Sequence, residues 1–112
     1  MVIYNNRMDE LILNECVGFE WDRGNQNKNR MKHSVSQTEC EQVFFNQPLL
    51  LHEDIKHSQK ERRMFILGKT DDERKLFLAF TIRNKLIRVI SARTMSKKER
   101  DIYEQIEEDS ES

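Results

Sequence analysis

The sequence predicts an α+β domain, and three patterns carry that expectation. Strand-like alternation fills consecutive runs in the second half, at Arg63–Lys69, Leu76–Arg83 and Leu86–Arg93. Ser36 with Glu39, and Ser96 with Glu99, each read as a capping box that opens a helix. The order of patterns is a short strand, two helices, a run of antiparallel strands and a last helix. A chain of 112 residues and 13.5 kDa has room for one core and no second. The expected architecture is an antiparallel sheet of about four strands, two N-terminal helices and a C-terminal helix.

Residues 1–16 mix polar positions with Leu11, Ile12 and Leu13 and read as an extension. Residues 17–106 form the expected domain. Val17, Phe19 and Trp21 alternate onto one face of a short strand. Asp22 is placed to cap a polar helix running to about Lys32. The helix opened by Ser36 turns Cys40, Val43 and Phe44 inward at i, i+3, i+4 spacing, and Pro48 stops it. Leu49–His52 is a further strand run. Turns follow at Thr70–Glu73 and Asn84–Lys85. The second implies a tight hairpin, in which Lys is less usual than Gly. Leu76, Leu78, Phe80 and Ile82 share one strand face; Phe77, Ala79, Thr81 and Arg83 share the other, which is smaller and more polar. A sheet buried on one side and partly open on the other is the natural result. In the last helix Ile102, Tyr103 and Ile106 lie on one side, and residues 107–112 form an acidic tail.

Charge is distributed unevenly. Residues 1–55 carry 5 basic and 9 acidic side chains, residues 56–100 carry 14 and 5, and residues 101–112 carry none and 6. A basic middle between acidic ends is the electrostatic footprint of a site for a polyanion. Apolar runs are too short for a transmembrane helix, and early acidic residues interrupt any signal-like segment. Cys16 and Cys40 read as reduced thiols of a cytoplasmic protein.

Most catalytic motifs are missing. His33, Cys40, His52 and His57 match no closed zinc spacing, so neither a metal nor another cofactor is expected. There is no phosphate-binding glycine loop, no dinucleotide fingerprint and no nucleophile elbow. What remains is basic and polar: His57, Glu61 and Arg63 at the entry to a strand, Arg83 at the end of the next, and Arg88, Ser91 and Arg93 along the last. By simple alternation Arg88 and Arg93 fall on opposite faces unless a bulge intervenes. Such groups suffice for RNA cleavage through the neighbouring 2′-OH, which needs a base, an acid and cations around the phosphate. They equally suit a basic module that binds RNA without cutting it.

A family resemblance narrows the choice. Phe19-Glu20-Trp21-Asp22, Asn29, Lys32-His33-Ser34-Val35-Ser36, Val43-Phe44, Pro48, Asp54, His57-Ser58, Glu61, Arg63 and Gly68 occur in order. Phe80-Thr81-Ile82-Arg83, Ile87 to Arg93, Glu99-Arg100 and Tyr103-Glu104 complete the set. This series resembles the BrnT family of toxins from bacterial type II toxin–antitoxin systems, over about residues 17–106. The resemblance implies a RelE-like fold and a cytoplasmic endoribonuclease that inhibits translation. It also implies neutralisation by a BrnA-type antitoxin with a ribbon-helix-helix part, which makes the operator DNA contacts. His57, Glu61, Arg63, Arg83 and Arg93 are the expected acid–base and phosphate-binding set; Lys32, His33, Arg88 and Tyr103 are expected to contact RNA. Ser34 stands where the family usually has Gly, so an altered turn is expected there. Trp21, Phe44 and Phe80 are assigned to the core. The alternative is a non-catalytic relative that binds antitoxin or RNA.

Overall fold

A computed structural model describes residues 2–4, 13–22, 34–54, 56 and 61–111. The strands are β1 (Val2–Tyr4), β2 (Gly18–Phe19), β3 (Leu49–Glu53), β4 (Arg63–Lys69), β5 (Lys75–Arg83) and β6 (Leu86–Thr94); the helices are α1 (Gln37–Val43) and α2 (Lys97–Glu111). The six strands form one sheet in the order β1-β3-β4-β5-β6-β2. The four central strands are antiparallel, as alternation indicates, while β1 pairs parallel with β3 and β2 parallel with β6. The architecture is α+β, with a mixed sheet larger than the four-stranded antiparallel one expected. β2, only 2 residues long, falls within the short strand expected at Val17–Trp21, whereas the 3-residue β1 lies in the stretch read as an extension. Both find their partners far away in sequence, so no local pattern announces the parallel pairings. The polar helix expected to follow Asp22, to about Lys32, falls on residues 23–32, which lie outside the described residues.

One face of the sheet carries the core. Leu51, Met64, Ile66, Leu76, Leu78, Phe80, Ile87, Val89 and Ala92 are buried on it, covered by Val35, Cys40 and Val43. The α1 cap forms as its motif requires: the Glu39 N–H donates to Ser36 Oγ at 3.1 Å, and the Ser36 N–H donates to Glu39 Oε1 at 3.1 Å. Phe44 meets Phe80 edge-to-face at 5.2 Å and Phe19 at 5.4 Å. Trp21 also packs against the core, and its Nε1 donates to Glu41 Oε2 at 2.8 Å. Gly68 lies under α1, where a Cβ would come within 2.6 Å of Val43 Cγ1. Glycine therefore sets how closely α1 approaches β4. Val17 departs from its expected place: it precedes β2 and is 77% exposed.

Register along β6 breaks once. Phe80 pairs with Val89 but Ala79 pairs with Ser91, so Ile90 is an extra residue. The bulge turns Ala92 toward the core and moves Ser91 and Arg93 to the opposite face. Arg88, opposite Thr81, and Arg93, opposite Phe77, consequently share one side of the sheet. That side is the open one.

The hairpins follow their turn chemistry. Asn84 and Lys85 have φ of 52° and 63°, which makes the two-residue turn between β5 and β6 of the primed kind. In the β4–β5 connection Thr70 donates its N–H to Arg74 O, and Glu73 takes the left-handed position with φ 68°. At that end α2 is tied to the open face: Lys69 Nζ lies 2.9 Å from Glu107 Oε2 and Lys75 Nζ 2.9 Å from Glu104 Oε1. Among the described residues no helix is long and apolar enough to cross a membrane.

Ser34 has φ 55°, and its carbonyl accepts from Arg74 Nη1 at 2.9 Å. The left-handed backbone explains why glycine suits this position, since a Cβ there meets the following carbonyl oxygen. Ser34→Gly is expected to stabilise the fold by about 0.5–1 kcal/mol, the strain relieved less the extra freedom gained by the unfolded chain. A urea titration checks this; an unchanged or lowered midpoint would show that the serine is not strained.

Candidate functional site

The far end of the open face, away from α2, gathers the charged groups. Arg63 of β4 pairs with Thr81 of β5, and Thr81 pairs with Arg88 of β6. Two strand spacings separate the arginine backbones, about 10 Å. Thr81 is buried between them, and its hydroxyl donates to Arg62 O at 2.7 Å. Arg83 lies two residues further along β5 on the same face. Its Nε donates to Glu61 Oε2 at 2.6 Å. This exposed pair sits where the chain enters β4.

The electrostatics are set by pairing. The hydrogen bond from Arg83 holds the Glu61 carboxyl below the usual glutamate range and raises the guanidinium in turn. Arg88 grips the segment around β2: Nη1 donates to Asp22 Oδ2 at 2.6 Å and to Glu20 Oε1 at 2.9 Å, and Nη2 donates to Asp22 Oδ1 at 3.1 Å. Its pKa is raised, first by the bond to Asp22. Arg62 bonds Glu53 at 3.0 Å. The carboxylates Glu20, Asp22, Glu53 and Glu61 at this end all engage guanidinium groups. No group of three or more His, Cys, Asp or Glu side chains among the described residues is arranged to hold a metal ion.

Glu61, Arg63, Arg83 and Arg88 are thus brought together, while two expected members stand apart. Arg93 shares the face, but it lies opposite Phe77, six residues along β5 from Arg83, about 20 Å away. It bonds both Glu99 oxygens, at 2.8 and 3.0 Å, and its guanidinium carbon rests 4.1 Å above the Phe77 ring. Glu99 also completes the α2 capping box with Ser96, so Arg93 locks the helix start to the sheet. Tyr103 is fully buried, and its hydroxyl donates to Pro48 O at 2.6 Å. Burial pushes its pKa up, so the phenol stays neutral. Lys32, His33 and His57 lie outside the described residues.

Glu20, Asp22 and Thr81 are site residues that sequence reasoning did not single out. Glu20 and Asp22 acquire their role only because β2 docks on the edge of β6. Thr81 was legible in part, as a polar residue on the smaller face of β5.

The family described as "Ribonuclease toxin, BrnT, of type II toxin-antitoxin system" matches residues 21–99. The chain belongs to the BrnT family. The match takes in Asp22, Glu61, Arg63, Thr81, Arg83, Arg88 and Arg93, and stops before Tyr103. It leaves β1, β2 and most of α2 outside. No curated protein matches the chain. Membership makes this a ribonuclease toxin by family and implies an antitoxin as its partner. Among the described residues the matched segment contains α1 and the four antiparallel strands β3 to β6.

The buried Tyr103 hydroxyl identifies a measurable structural role. Tyr103→Phe leaves the Pro48 carbonyl unsatisfied and is expected to cost about 1–3 kcal/mol. RNA affinity should stay within about twofold, since no contact of the arginine group is touched. Weakened RNA binding at an unchanged urea midpoint would instead make Tyr103 an RNA contact.

Proposed function

We propose that this BrnT-family protein is a metal-independent endoribonuclease that inhibits translation and is neutralised by a BrnA-type antitoxin. The observation that carries the proposal is the convergence of Glu61, Arg63, Arg83 and Arg88 on one open sheet face. In the proposed reaction a base removes the proton of a ribose 2′-OH, and the oxygen attacks the adjacent phosphorus. The 5′-oxygen leaves, taking a proton from an acid. The products are a 2′,3′-cyclic phosphate and a 5′-hydroxyl. Arg63 and Arg83 neutralise the phosphorane, because guanidinium forks match phosphate oxygens. Glu61 engages one N–H of Arg83, which has five donors. Arg88 anchors the β2 segment that borders the site. His57, four residues before Glu61, is the proposed second acid–base group on sequence grounds.

The non-catalytic reading keeps one supporting observation: Arg83 lowers the pKa of Glu61, which makes it a weak base. Activity separates the readings. Antitoxin-free protein is expected to cut RNA in EDTA and leave cyclic phosphate ends. Expression alone is expected to arrest bacterial growth, with antitoxin co-expression restoring it. Activity lost on chelation and recovered with added metal would contradict the mechanism; no cleavage under any condition would favour the binding-only reading.

The pH profile assigns the base. A base must be deprotonated, so kcat/KM falls as pH drops through its pKa. With Glu61 as base, the acid limb lies below the ordinary glutamate value of about 4.3. With His57 as base, the limb lies near about pH 6.5 and His57→Ala lowers the rate on the order of a hundredfold or more. A limb near 6.5 that survives His57→Ala would remove both assignments.

A further inference from the structure

The open face carries a second ordered feature beside the arginines. His52, Phe65 and Phe77 form a row of rings across β3, β4 and β5. His52 and Phe65 are direct cross-strand partners, and their rings stack with 12° between planes and centroids 6.4 Å apart. Phe65 meets Phe77 diagonally at 5.1 Å, and Arg93 closes that end of the row over Phe77. His52 is exposed and Phe65 half-buried. Helix α2 is tied to the other end, through Lys69, Lys75 and Arg93, and leaves the His52 end open. Phe65 follows Arg63 by two residues on the same face of β4, about 7 Å along the strand.

We propose that His52 and Phe65 form a stacking platform for one nucleobase of single-stranded RNA, with the adjoining phosphate on Arg63 and Arg83. The proposal rests on the ribonuclease reading above and deepens it by defining where the substrate's base lies. Stacked on Phe65, the exposed His52 ring offers a supported aromatic face, and every nucleobase has a matching π-face. The neighbouring guanidinium groups complement the negative charge that each nucleotide brings with its base. An apolar protein side chain would cover the rings but leave that charge unanswered. Stacking tolerates any base, so the platform favours unpaired RNA over a particular sequence.

The probe is a 2′-O-methyl hexaribonucleotide carrying one 2-aminopurine, which lacks the nucleophile and cannot be cut. Binding to the full chain is expected to quench its fluorescence through stacking. His52→Ala, at an exposed strand position, is expected to weaken binding about five- to hundredfold and to remove much of the quench. Phe65→Leu, which keeps apolar packing, should do the same, and Phe65→Trp should retain both signals. Unchanged affinity and quench in both deficient variants, at wild-type urea midpoints, would overturn the platform. So would variants that lose antitoxin capture while still quenching the probe, which would make this a protein-docking surface. Wild-type protein that cuts natural RNA without quenching the probe overturns the platform and leaves the ribonuclease reading intact. Wild-type protein that quenches the probe but leaves natural RNA whole does the reverse.

Discussion

The extra residue in β6 decides what each face of the sheet contains. Ile87 and Val89 point into the core before it, and Ala92 points into the core after it. With unbroken alternation Ser91 and Arg93 would enter the core in place of Ala92. Burying an unpaired guanidinium is far more costly than interrupting one ladder position. The bulge therefore lets one strand serve an apolar face and a basic face at once. Arg88 at the candidate site and Arg93 at the α2 end both owe their shared face to it.

The opposite side of the sheet depends on close approach. Gly68 admits Val43, and the Phe19–Phe44–Phe80 contacts extend that packing to the β2 edge. Trp21 and Arg88 fasten the same edge from two directions, one to α1 and one to β6 through Glu20 and Asp22. A two-residue parallel strand is weak by itself. Side chains on both faces of the sheet hold it. The acidic border of the arginine group thus follows from how an edge strand is secured.

The open face divides by function along the strands. At one end α2 covers it, its Glu107, Glu104 and Glu99 pairing with Lys69, Lys75 and Arg93. At the other end Arg83 is exposed and Arg63 and Arg88 are half-buried around the buried Thr81, beside the His52–Phe65 stack. Burying one end with charge pairs leaves the aromatic row half covered. Its accessible part adjoins the basic part.

Local chemistry determined much by itself. The capping boxes at Ser36 and Ser96, the hairpin at Asn84–Lys85 and the inward set Leu76, Leu78, Phe80 each depend on residues close together in the chain. The ordered motifs also sufficed for the family, because they are short and in register. The family resemblance also marked an altered turn at Ser34, while its left-handed backbone is set by the fold. The sequence could not place Arg93, which shares a basic strand with Arg88 and is separated from the site by distance along the sheet. Nor could it show that Tyr103 bonds the Pro48 carbonyl, that Arg88 holds Glu20 and Asp22, or that His52 stacks on Phe65. These are contacts between residues 13 to 68 positions apart, fixed by strand register, a bulge and helix docking. Periodicity assigns a side chain to a face; only tertiary packing decides which neighbours meet it there.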